Sequence, residues 1–150
     1  MKFWMSFLLI VSSKALASTD LKTTYFEFEN SYMSNAVEEY APWLSSQYKI
    51  VQTLHIPGLG SDSREVTGKQ MLAAMGSMKS ANSTPRSTSE NTEIKVISDN
   101  DFCASSTTKT KTTVGGKNYE EKEVRNVCFT KKSERYLATT HTIDVYYSEI

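Results

Sequence analysis

The chain has 150 residues, with 17 basic and 17 acidic side chains, two histidines and two cysteines. Its basic residues are scattered among glutamates, which argues against nucleic acid as a partner, because nucleic-acid binders gather Lys and Arg on one face or stripe. No Cys/His or carboxylate cluster stands at metal-ligand spacing. A Gly-rich phosphate loop, a Gly-x-Ser-x-Gly elbow and a calcium-loop motif are also missing, so neither a metal nor a cofactor is expected.

Lys2, the apolar run Phe3 to Val11 and the small residues of Ala15-Leu16-Ala17 together form the pattern of a cleavable signal peptide, with Ser18 as the first mature residue. The run is shorter than the roughly 20 apolar residues a spanning helix needs. Residues 1–17 are therefore expected to be removed. Residues 18–150 should then form one domain, large enough to bury its own core, periplasmic or secreted and without a stable membrane span.

From Asp20 to Ala41 the larger side chains recur as Tyr25/Phe26, Tyr32/Met33, Ala36/Val37 and Tyr40/Ala41, the spacing of an amphipathic helix with a break allowed near Ser34. Ser18, Thr19 and Asp20 offer N-cap oxygens, and Pro42 should stop the helix at Ala41. Tyr48 to Ile56 has the β-branched and aromatic content of a strand, ended by Pro57-Gly58-Leu59-Gly60, and a short extended segment is expected near Arg64-Glu65-Val66. Thr67-Gly68-Lys69-Gln70 fits a capping box opening a second helix, which carries Met71, Leu72, Met75 and Met78. A polar loop follows to Asn91, and its 80–91 stretch could serve as a lid or as a disordered connection. Strands are then expected at Glu93–Ser98, Phe102–Val114, Lys117–Thr130 and Tyr136–Tyr147, forming an antiparallel sheet.

Gly115-Gly116 suits a two-residue hairpin turn, in which both central residues take positive φ, and so sets Val114 opposite Lys117. Counting outward from that pair places Cys103 opposite Cys128, at a non-hydrogen-bonded position where Cα atoms approach to about 4.5 Å, close enough for a disulfide. An exported chain lies where such a bond persists. The same register puts Phe102 opposite Phe129 and Ala104 opposite Val127 on the core face. Toward the turn this face becomes Ser106, Thr108, Thr110 and Thr112 against Arg125, Glu123, Glu121 and Tyr119, too polar for ordinary packing. Either this end projects past the core or it lines a wet cavity.

A long N-terminal helix, a strand pair, a capped helix and long antiparallel strands, in that order, resemble the NTF2-like (SnoaL-like) α+β fold, a curved antiparallel sheet wrapped around N-terminal helices to form a cone. The cystatin fold is the nearest rival but leaves the second helix without a place. The resemblance covers most of residues 20–148, rests on element order and carries no diagnostic motif. It implies a range of activities, since fold does not choose among them. In the family's enzymes the mouth of the cone holds an Asp or His base and a Tyr or acid that hydrogen-bonds an enolate oxygen. The matching residue types here are His141 and Asp144 as base and Tyr25 and Tyr32 as acid, with His55 and Tyr119 as ligand-binding candidates. His141 should face inward, in phase with Leu137, Thr139, Ile143 and Val145.

With the common catalytic motifs missing, the first expectation is an exported non-catalytic module that binds a small ligand or an envelope protein. A cofactor-free isomerase or lyase and a VirB8-like assembly component are the alternatives. A homodimer is an expectation from the resemblance alone.

Overall fold

The computed structural model describes residues 5–75, 87–88 and 90–150, with side chains from Asp20 onward except that of Val114. Residues 76–86 fall outside it, and with them Met78 and most of the polar loop. Helix α1 runs Met5–Ser34, α2 is Val37–Tyr40, a 3-10 turn covers Ala41–Trp43, and α3 is Gly68–Met75. The strands are β1 (Leu44–Ile56), β2 (Gly60–Thr67), β3 (Thr92–Val96), β4 (Asp101–Val114), β5 (Lys117–Lys132) and β6 (Arg135–Glu149). They form one curved, unclosed sheet in the order β2-β1-β6-β5-β4-β3.

Helix α1 ends where the sequence allowed a break. Asn35 takes φ 55°, a left-handed conformation that asparagine tolerates and that cannot continue a right-handed helix. Pro42, with no N–H to donate, sits in the 3-10 turn that closes the helical segment. Ser18, Thr19 and Asp20 do not begin the helix here, because helical backbone already runs from Met5. They would enter the first turn only after removal of residues 1–17. At α3 the capping box forms as expected: Thr67 Oγ1 accepts the Gln70 N–H at 3.3 Å, and Gln70 Oε1 accepts the Thr67 N–H at 2.9 Å. Gly68 lets α3 approach β1, since a Cβ there would meet Tyr48 Cδ1 at 3.3 Å.

The β4–β5 hairpin has the expected register from Val114↔Lys117 to Asp101↔Thr130, turning on Gly115 and Gly116 at φ 59° and 80°. Cys103 and Cys128 are joined by a disulfide, with Cα atoms 4.0 Å apart. Two expectations about the sheet need correction. It is antiparallel except for β1 and β6, which pair in parallel with Ile50 beside His141 and Leu54 beside Val145. Nearly eighty residues separate these strands, so no tight turn dictates their direction, and the intervening α3 and β2–β5 supply the crossover a parallel pair requires. In addition, the register shifts between Cys128↔Thr140 and Phe129↔Ala138, which makes Thr139 the extra residue of a β-bulge. Its Oγ1 donates to the Cys128 carbonyl at 3.1 Å. Ala138, His141, Ile143 and Val145 face the core, whereas Leu137 and Thr139 are out of phase with them.

α1 lies on the concave face. Tyr25, Phe28 and Tyr32 stand on one side of the helix, and Phe28 meets Phe129 edge-on at 5.3 Å between centroids while contacting Tyr40, Trp43 and Tyr48. Phe102 stacks on Phe129 at 4.8 Å. Burying a side chain of this size contributes about 1.5–3 kcal/mol, so this aromatic group dominates the attachment of helix to sheet.

Candidate functional site

Beside Phe28 the concave face turns polar. Glu29 projects from α1 onto β5, where its Oε1 accepts from Arg125 Nη1 at 3.0 Å, and Arg125 Nε donates to Glu123 Oε1. All three are buried, at 3%, 7% and 8% exposure for Glu29, Arg125 and Glu123. Ser87 Oγ donates to Glu29 Oε1 at 2.9 Å, and the Tyr25, Ser87 and Ser106 hydroxyls lie within 2.8–3.1 Å of one another. Burial, reinforced by the Glu29 carboxylate, raises the Tyr25 pKa, so this phenol remains a hydrogen-bonding neutral group. Glu29 Oε2 has no hydrogen-bond partner although it is buried. A polar atom left in this way loses its hydration without recompense, which is why native interiors seldom contain one.

Farther along the same face the sheet extends past the helix and opens into a groove of about 540 Å³. Glu121 and Tyr119 continue the inward-facing row of β5, Tyr147 and Glu149 that of β6, and Thr112 that of β4, while Ile56, Pro57 and Leu59 close one side. Tyr147 Oη donates to Glu121 Oε2 at 3.1 Å, and Lys117 pairs with Glu149 at the rim. The polar end of the hairpin divides: Ser106, Arg125 and Glu123 belong to a buried cluster, which neither sequence expectation included, and beyond it Glu121 and Tyr119 line an open hollow. Size and lining are those of a small-ligand site, apolar and aromatic with a few fixed polar groups. A second hollow of about 520 Å³, between α3 and the start of β1, touches none of these residues.

His141 is inward and 2% exposed. Its Nδ1 lies 3.1 Å from Tyr48 Oη, which lies 2.5 Å from Tyr40 Oη, and Phe28 and Tyr32 pack edge-on against the ring. Desolvation first, and the Arg125 charge second, lower its pKa to about 3, so the imidazole is neutral across the physiological range. Its Nε2 is buried and unpartnered. Burial likewise raises the pKa values of Tyr32, Tyr40 and Tyr48.

Asp144 is on the other face. It accepts from or pairs with His55 Nε2 at 3.3 Å, His55 Nδ1 lies 2.7 Å from Ser61 Oγ, and the His55 ring stacks on Tyr146 at 4.3 Å. The four catalytic candidates are thus divided: Tyr25, Tyr32 and His141 share the concave interior, and Asp144 joins His55 outside it, so His141 and Asp144 do not form one site. Of the two ligand-binding candidates, Tyr119 lines the concave groove and His55 does not. Among the described residues there is no group of three or more His, Cys, Asp or Glu side chains that could hold a metal ion.

Glu29, Arg125, Glu123, Glu121 and Tyr147 were not candidates from the sequence. The polarity of the Ser106–Arg125 end of the hairpin was its visible signal. Glu29, four residues after Tyr25 on the helix, completes that patch from the opposite side.

No family model matches the sequence, and no curated protein matches it. Solved structures do match. Hexachlorocyclohexane dehydrochlorinase LinA-type3 from Novosphingobium barchaimii is 9% identical, with a TM-score of 0.55 over 91% of this chain and 94% of the other. An NTF2-like protein with a cystatin-like fold from Novosphingobium aromaticivorans is 10% identical, with a TM-score of 0.54 over 97% and 91%. The association domain of C. elegans CaMKII is 16% identical, with a TM-score of 0.54 over 88% and 97%. One of these is a dehydrochlorinase and another an association domain, so the likeness carries architecture and not activity. The chain has the NTF2-like α+β fold, a curved sheet with helices packed inside it.

Proposed function

We propose that the protein is an exported, non-catalytic NTF2-like module that binds a small ligand in the concave groove bounded by Tyr119, Glu121, Tyr147, Ile56 and Leu59. The observation that carries this reading is the groove itself, where the inner face of the sheet runs past α1 and presents aromatic, apolar and carboxylate side chains beside an already desolvated polar cluster. Export rests on the signal-peptide pattern of residues 1–17. A disulfide, and the lack of any helix long and apolar enough to cross a membrane among the described residues, are compatible with it.

An isomerase or lyase would need a base and an acid meeting in one hollow. His141 meets Tyr32 by ring packing inside the core, and Asp144 faces away from both, which favours binding over turnover.

Fragment screening by differential scanning fluorimetry, with protein purified after export, tests the reading. Hits should stabilise the wild type and lose their effect in Tyr147→Ala and Leu59→Ser. Leu59 is 83% exposed, so its substitution leaves folding intact. Hits that act equally on both variants would place binding elsewhere and overturn the proposal.

A further inference from the structure

On one side the sheet ends at β2, whose outer edge no strand covers among the described residues. An open edge is a template for a further strand, and proteins blunt theirs with short strands, lysine, proline or a bulge. β3, at the other end of the sheet, follows that rule: it is five residues long, carries Lys95 and starts at the buried Thr92. β2 does not. It runs eight residues in unbroken register with β1, has no lysine, proline or bulge, and is exposed at every residue except Val66.

The hairpin decides which backbone groups this edge offers. The Ile56 carbonyl accepts from Leu59 N–H at 3.1 Å, so the backbone of Ile56 faces into the turn and forms a hydrogen-bonded pair with Gly60. By alternation the backbone groups of Asp62 and Arg64 face β1, and those of Ser61, Ser63 and Glu65 face the open edge. Thr67 agrees, since its N–H goes to Gln70 Oε1 and not to β1. The side chains of Ser61, Ser63 and Glu65 are engaged on the outer face by His55, Thr53 and Lys49. Asp62 and Arg64, opposite Leu54 and Gln52 on the inner face, have neither a hydrogen bond nor an ion pair within the chain.

Two opposite charges flanking Ser63 make the edge complementary to itself. With a second β2 laid antiparallel, Ser63 of one copy opposite Ser63 of the other, the outward backbone groups meet as one Ser63–Ser63 and two Ser61–Glu65 hydrogen-bonded pairs. Between them Asp62 of each copy meets Arg64 of the other, at non-hydrogen-bonded positions where Cα atoms approach to about 4.5 Å and side chains are closest. A two-residue slip would oppose Asp62 to Asp62 or Arg64 to Arg64. A one-residue slip would set outward backbone groups against inward ones, and in-register parallel pairing would align like charges.

We propose that the protein forms a homodimer through antiparallel pairing of β2 with β2 of a second copy, centred on Ser63 and fixed by reciprocal Asp62–Arg64 ion pairs, which joins two six-stranded sheets into one.

Sedimentation velocity of the exported protein tests this. A strand-edge contact is small, so a reversible dimer is expected at about 0.1 mM and monomer at about 1 µM. Asp62→Arg and Arg64→Asp should each be monomeric at the higher concentration, because like charges then oppose one another. Mixed one to one, these two variants should dimerise, since every charge again meets its opposite, and the double variant carrying both substitutions should dimerise like the wild type. Ser63→Pro removes an N–H aimed at the open edge and none given to β1, so it should keep the fold by circular dichroism and lose the dimer. A wild type that stays monomeric at about 0.1 mM would overturn self-pairing and leave the edge to a strand of another protein. A dimer that persists in Ser63→Pro or in either single charge variant would place the interface elsewhere and overturn it too, as would two charge variants that stay monomeric when mixed.

Discussion

Replacing His141 with Phe should remove a specific acid sensitivity of the fold. In the native protein this imidazole is buried between its own strand β6 and α1, packed by Phe28 and Tyr32, hydrogen-bonded at Nδ1 to Tyr48 and facing the charge of Arg125. Its pKa falls from an ordinary value near 6.5 to about 3. Because the folded-state pKa is the lower one, the unfolded chain binds the proton first. The stability that depends on neutral His141 is complete above pH 6.5 and is lost as pH falls toward 3. At pH 5 the proton favours the unfolded state by about 1.5 pH units, or about 2 kcal/mol. The Phe variant has an aromatic ring in the same aromatic surroundings, and Tyr48 keeps its bond to Tyr40. Urea denaturation of both proteins at pH 7.5 and pH 5.0, with the disulfide intact, isolates the effect, since every other titrating group is shared. The wild type should lose about 2 kcal/mol more than the variant between the two conditions. Equal losses would refute the placement of a neutral histidine in the core.

Other substitutions test the packing. Arg125→Met should destabilise by about 3–5 kcal/mol by taking the guanidinium away from the buried carboxylates of Glu29 and Glu123, and adding Glu29→Leu and Glu123→Leu should recover most of that in chemical denaturation. Exchanging both Cys103 and Cys128 for Ser should lower stability by at most about 3 kcal/mol, the chain-entropy value for a loop of this length, read from the urea midpoint of non-reduced protein against the variant. Thr67→Ala should cost about 1 kcal/mol by opening the capping box, again measured by denaturation.

Local chemistry made much of the architecture legible. Gly115-Gly116 set a register that held across the β4–β5 hairpin as far as the disulfide, because a turn with two positive-φ residues transmits its geometry along a regular ladder. Thr67 and Gln70 announced α3 for an equally local reason. The parallel pairing of β1 with β6 was not legible, since the strands are distant in sequence and only the assembled sheet sets their direction. Nor was the bulge at Thr139, whose side chain occupies a bulge as readily as a regular strand position. This single extra residue shifts the phase of β6 and takes Leu137 and Thr139 out of step with His141. Asp144, three positions from His141 on a strand, belongs to the opposite face by simple alternation. The polar groove was foreshadowed by Arg125, Glu123, Glu121 and Tyr119 on a face that should have been apolar. Its partner Glu29 was hidden within an aromatic helix stripe, where one carboxylate reads as surface until the helix is docked.

The most direct test of ligand binding on the concave face is protein-observed NMR of the exported protein titrated with the hits of the fragment screen. Saturable shift changes should cluster on Tyr119, Glu121, Tyr147 and Leu59, with Glu29 and Arg125 following, while His55, Ser61 and Tyr146 on the outer face stay unchanged. Changes confined to the outer face, or no saturable change at any residue, would contradict it.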